Sequence, residues 1–113
     1  VIEEVKEAPC EMQFTADDKK ALLAGVKTQT SRASLPDPKI KAGAIIHAVI
    51  MEPHIADLHI TSIERKKLRY FDEEDAKREG GYTLEEFKEK WKKIYGEWDE
   101  NQLVYVIHFE KTI

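Results

Sequence analysis

The hydrophobic residues of this chain run on two different periods, and that switch limits the folds open to it more than any other feature. Leu84, Phe87, Trp91, Ile94 and Tyr95 recur every three or four residues, the spacing of one helix face. Leu103, Tyr105, Ile107 and Phe109 alternate with their neighbours, as one face of a strand does. A helix stripe and a strand face each need an apolar partner, so a chain holding both packs helices on a sheet. At 113 residues there is room for one such core, and residues 1–113 are read as a single domain. Glu3 to Glu7 is charged without an apolar period, which predicts a loose N-terminal arm over residues 1–9.

Local signals place the remaining elements. Cys10 to Phe14 alternates as a short strand with one buried face. Thr15 with Asp18 reads as a capping box opening a short helix, whose apolar face is Ala21, Leu22 and Leu23 and which Gly25 ends. Pro36 and Pro38 predict an extended surface connection. Ala44 to Met51 and Ile55 to Ile63 read as two strands paired in a hairpin. The acids from Asp72 to Asp75 suit a helix N-terminus, and Gly80-Gly81 ends that helix. Thr83 with Glu86 is a second capping box, and Gly96 stops the helix it opens. The order strand, helix, strands, helices, strand predicts an α+β fold: a small, mostly antiparallel β-barrel with about three helices.

Composition excludes several functions. A hydrophobic fraction of 42% and a charged fraction of 35% are those of a soluble protein. The longest apolar run, Ala44 to Met51, is interrupted by His47 and is far too short for a bilayer, so no membrane association is expected. A cytoplasmic location is the default expectation. Cys10, the sole cysteine, cannot staple the fold and fits a reducing compartment; its alternation with Met12 and Phe14 predicts a buried strand position. A net charge of −4 argues against a nonspecific nucleic-acid coat, whose affinity comes from neutralising phosphates. It leaves room for a local basic patch or a pocket for one nucleoside. His47, His54, His59 and His108 show no paired metal-ligand spacing, so no metal site is expected.

Two polar stretches remain. Gly25-Val26-Lys27-Thr28-Gln29-Thr30-Ser31-Arg32 follows a helix stop, and its composition alone fits a solvated loop. If extended, it would turn Lys27, Gln29 and Ser31 one way and Thr28, Thr30 and Arg32 the other. Arg65-Lys66-Lys67-Leu68-Arg69-Tyr70-Phe71 is the candidate RNA-binding segment, with Arg65, Lys66, Lys67 and Arg69 for phosphates and Tyr70 or Phe71 for base stacking. An edge strand protected by its charges explains the same run.

The pattern Gly25-x-Lys27-x-x-x-x-Arg32 resembles the signature of the ASCH domain family, within the PUA-like superfamily. Thr30 stands where many members carry an acid, and Lys27-Thr28-Gln29-Thr30-Ser31-Arg32 is similar to the small amidohydrolases that deacetylate N4-acetylcytidine. Ala76-Lys77-Arg78-Glu79 resembles the segment bearing that branch's catalytic glutamate, and Tyr105 to Phe109 its last strand. The resemblance implies a PUA-like barrel and a Lys-Thr-Glu site of Lys27, Thr30 and Glu79, with Gly25, Thr28 and Arg32 binding substrate. No cofactor is implied. The expected partner is a modified nucleoside or RNA, while protein partners stay unspecified. A neutral Lys27 would serve as base and Glu79 as proton shuttle, with Thr30 as nucleophile, water activator or hydrogen-bond donor. The rival function is a non-catalytic RNA-binding module, and for Lys27 and Glu79 a plain ion pair tying loop to helix.

Overall fold

The computed structural model describes residues 10–51 and 53–112; the expected arm over residues 1–9 lies outside them. Five strands are present among them: β1 (Glu11–Phe14), β2 (Gln29–Arg32), β3 (Ile45–Ile50), β4 (His54–Lys67) and β5 (Leu103–Lys111). The helices are α1 (Lys19–Leu23), α2 (Glu73–Gly80) and α3 (Leu84–Tyr95), with 3-10 turns at Ala16–Asp18 and Leu68–Tyr70. None of these helices is long and apolar enough to cross a membrane.

The strands form one sheet in the order β1-β3-β4-β5-β2, parallel between β1 and β3 and antiparallel elsewhere. The expected closed barrel is therefore corrected to an open sheet with β1 and β2 as its edges. The reason lies in β2. Its Ser31 N–H is taken by the Glu79 carboxylate of α2 (3.1 Å), and its Thr28 neighbour donates to the Arg78 carbonyl (2.8 Å). The end of α2 thus occupies the free edge that β1 would need. Side chains still span the seam, for Arg32 Nη2 donates to the Gln13 carbonyl of β1 at 2.6 Å.

Two irregularities bend the sheet. The β3–β4 register shifts between Ala48 and Val49, and the β4–β5 register between Ile60 and Ser62. An extra residue in one strand increases its twist and bend. One core cluster, including Met12, Phe14, Leu22, Ile46, Ile60 and Phe109, is centred on β1, β3 and β4. The other joins Val104 and Val106 to Leu68, Phe71, Ala76, Phe87 and Trp91. β5 is therefore buried on both faces, where the alternation alone marked one; Leu103, at its start, is 41% exposed. Trp98 completes an edge-to-face aromatic group with Phe71, Phe87 and Trp91.

Capping signals translated directly. The Asp72 carboxylate accepts from the Asp75 N–H (3.0 Å), and Asp75 returns the contact to the Asp72 N–H (3.1 Å). Thr83 and Glu86 exchange the same pair of bonds at the start of α3. Gly81 ends α2 at φ +79°, a left-handed conformation open cheaply only to glycine. Two expectations shift in extent: the helix after Thr15 is a 3-10 turn and five α-helical residues, and β4 runs on through the basic segment to Lys67.

Candidate functional site

The motif expected as a loop becomes strand at Gln29, and its side chains alternate as extended backbone requires. Gln29 and Ser31 face α2, where Ser31 Oγ donates to Glu79 Oε2 at 3.0 Å and Gln29 accepts from Arg78 Nε at 2.9 Å. On the other side Arg32 Nε donates to Thr30 Oγ1 at 3.2 Å, and the guanidinium lies 5.1 Å from the centre of the Phe14 ring. Residues from both faces of β2 nevertheless line one space at the end of the strand. A cavity of about 160 Å³ lies there, lined by Lys27, Thr30, Ser31 and Arg32, by Glu79, and by residues of β1 and α3.

Lys27 and Glu79 meet at its base. Lys27 Nζ donates to the Glu79 main-chain carbonyl at 2.6 Å and lies 4.0 Å from Glu79 Oε1. Both are almost fully buried, at 5% and 3% exposure. Burial pushes the Lys27 ammonium below its ordinary pKa, against the pull of the Glu79 and Asp18 carboxylates. Burial likewise pushes the Glu79 carboxyl up, opposed by Lys27 and by the bonds from Gln29 and Ser31. The two shifts converge, so the neutral forms of both groups lie closer in energy than they would in water.

A second charged group forms the wall. Asp18 accepts from Lys90 Nζ at 2.7 Å, and Lys90 also donates to the Tyr82 hydroxyl at 2.9 Å. Burial raises the Asp18 pKa, but Lys27 and Lys90 outweigh it and leave the carboxyl below its usual range. Sequence reasoning missed this part of the site. Asp18 had a sufficient explanation as a capping residue, and its carboxylate does accept from the Thr15 N–H and hydroxyl as well. Lys90 carried a usable signal: it is a lysine three residues after Phe87 and one before Trp91, on the apolar stripe. The same stripe held another. Ile94 and Tyr95, 54% and 39% exposed, are wider than the core requires because they border the cavity.

Of the other predicted substrate residues, Gly25 supplies the turn at φ +76° and Thr28 anchors the strand to α2; neither lines the cavity. The basic run also lies away from it. Lys66 is held by both Asp75 oxygens (3.0 and 2.9 Å), Arg65 stacks on Tyr105, and Arg69 bonds Asn101. Lys67 and Tyr70 are exposed. The thiol of half-buried Cys10 is pushed up by burial and by Asp37, which disfavours the reactive thiolate.

No family model and no curated protein matches the sequence. Solved structures do. The fold is similar to that of an ASCH domain from Lactobacillus crispatus, with a TM-score of 0.76 over 90% of this chain and 78% of that one, at 18% identity. An ASCH protein from Zymomonas mobilis matches with a TM-score of 0.63 at 15% identity, over 88% of this chain and 64% of its own. A protein from Enterococcus faecalis matches at 0.62 and 21% identity, over 83% and 66%. The chain thus spans about two thirds of the latter two. These likenesses show an ASCH-type fold.

Proposed function

We propose that the cavity binds a modified pyrimidine base and hydrolyses an amide on its exocyclic nitrogen, with N4-acetylcytidine as the model substrate. The observation that carries this reading is the buried meeting of Lys27 and Glu79 beside Thr30 and Arg32. A buried ion pair of this kind is weak evidence for stability alone, because desolvation consumes most of its attraction. Perturbed titratable groups in a cleft favour catalysis. The size also suits one ring, since a cavity of about 150 Å³ takes up benzene.

In the proposed reaction, neutral Lys27 takes the proton of the Thr30 hydroxyl as its oxygen attacks the acetyl carbon. Arg32, already donating to Thr30 Oγ1, stays charged and steadies the developing oxyanion. The carbon–nitrogen bond then breaks, the leaving amine receives a proton through Glu79, and water hydrolyses the threonyl ester to acetate. The sum is amide plus water giving amine plus acetate. The test is acetate release from N4-acetylcytidine by the wild type, Lys27→Ala and Glu79→Gln, with circular dichroism confirming folding. Turnover in the wild type with at least a hundredfold loss in each folded variant is expected. A wild type without turnover would remove the amidohydrolase reading.

The second reading, an RNA-binding module, is favoured by one observation: Lys67 and Tyr70 are exposed beside Arg69 at the end of β4. Charge reversal at Lys67 and Arg69 should then weaken RNA binding and flatten its salt dependence. Lys66 is unsuited to that role while it is held by Asp75.

A further inference from the structure

We propose that His47, His54 and Asp57 form a site for a divalent transition-metal ion on the β3–β4 hairpin, separate from the cavity. His47 of β3 and Asp57 of β4 are direct cross-strand partners, on the face opposite buried Ile46 and Ala48. His54 belongs on the other face by simple alternation, being three residues from Asp57. The register shift corrects this: Ala48 pairs with Ala56 and Val49 with His54, so β4 carries one extra residue there. The bulge re-aims His54 onto the side of Asp57 and His47, a use bulges commonly serve beside functional sites.

The resulting geometry approaches that of a shared ligand sphere. His54 Nε2 lies 2.7 Å and His47 Nε2 3.5 Å from the same oxygen, Asp57 Oδ1. One donor atom from each residue falls within 4.8 Å of the others. A tetrahedral ion with bonds of about 2.0–2.1 Å holds its donors about 3.3 Å apart, so small side-chain rotations suffice. A hydrogen bond explains His54 and Asp57, and cross-strand pairing sets His47 beside them, but neither contact alone uses both rings on one oxygen. The His47 ring is stacked on His54 at 4.0 Å and 9°, and the one carboxylate oxygen faces both. A cation lets both imidazoles serve as neutral ligands at once.

The donor set defines the ion's class. Two imidazoles and a carboxylate suit zinc and neighbouring divalent ions, whereas magnesium and calcium prefer oxygen alone. The side chains are 26%, 45% and 42% exposed, so remaining coordination positions face solvent. The other ring–carboxylate contacts, His59 with Glu110 and His108 with Glu64, bring one imidazole each and serve as internal controls.

The test is calorimetric titration of the untagged full chain with Zn2+, and with Co2+ followed by its visible absorption. One ion per chain is expected. His54→Ala and Asp57→Asn should each lower affinity at least tenfold, while His59→Ala and His108→Ala should leave it unchanged. No saturable Zn2+ binding by the wild type, or binding that His54→Ala leaves intact, would overturn the site.

Discussion

At the scale of single residues, the pairing of Lys27 with Glu79 carries most of the functional interpretation, and its energetics can be tested apart from any substrate. Removing one member leaves the other charged, buried and without its partner, which costs about 3–5 kcal/mol. Lys27→Met and Glu79→Gln should each lower the urea midpoint markedly. The double variant should lose much less than their sum, because neither charge is stranded. Additive losses would show that the two groups are not energetically coupled. Lys27, Thr30, Arg32 and Glu79 were legible because they stand in a motif and a recognisable segment. Asp18 was not, since capping explains it locally, and Lys90 left only its place on the apolar stripe as a signal; each gains its partner in the site from a distant element. Lys90 reaches Asp18 across 72 positions of sequence.

At the scale of elements, local chemistry was read well and pairing poorly. The capping box at Thr83, the acidic start of α2 and the glycine stops depend on residues a few positions apart, so sequence carries them. The length of β4 depends on Leu103–Tyr105, which pair with Arg65–Lys67 and extend the strand through a charged run. Nothing inside that run announces its partner. Likewise, the edge of β2 is covered by the carboxyl end of α2, a contact between segments 48 or more positions apart. The helix α3 follows closely, and its cap should matter for the cavity wall it provides. Thr83→Ala removes the bond to the Glu86 N–H and should cost about 1 kcal/mol, read as a lowered denaturation midpoint. Thr83→Ser, which keeps the hydroxyl, should restore most of that loss; failure to do so would assign the effect to packing.

At the scale of the whole molecule, the predicted α+β class and three helices are present, and closure is where expectation and structure part. A side chain bridges the seam instead of a ladder of main-chain bonds. Arg32→Lys keeps the charge but loses the fork that reaches Thr30 Oγ1 and the Gln13 carbonyl together. Amide hydrogen exchange in β1 should accelerate in that variant while β4 and β5 stay protected; uniform acceleration would mean a general loss of stability. The position of β2 against β5 also bears on when the cavity can form. Thr30 is aligned with Ile107, so an early segment of the chain is secured by the last strand described. Contacts between such distant segments form late, because the intervening chain must first be ordered. A chain synthesised only as far as α3 therefore carries the motif without the strand that β2 pairs with, and the cavity beside α2 takes shape only once β5 has joined the sheet.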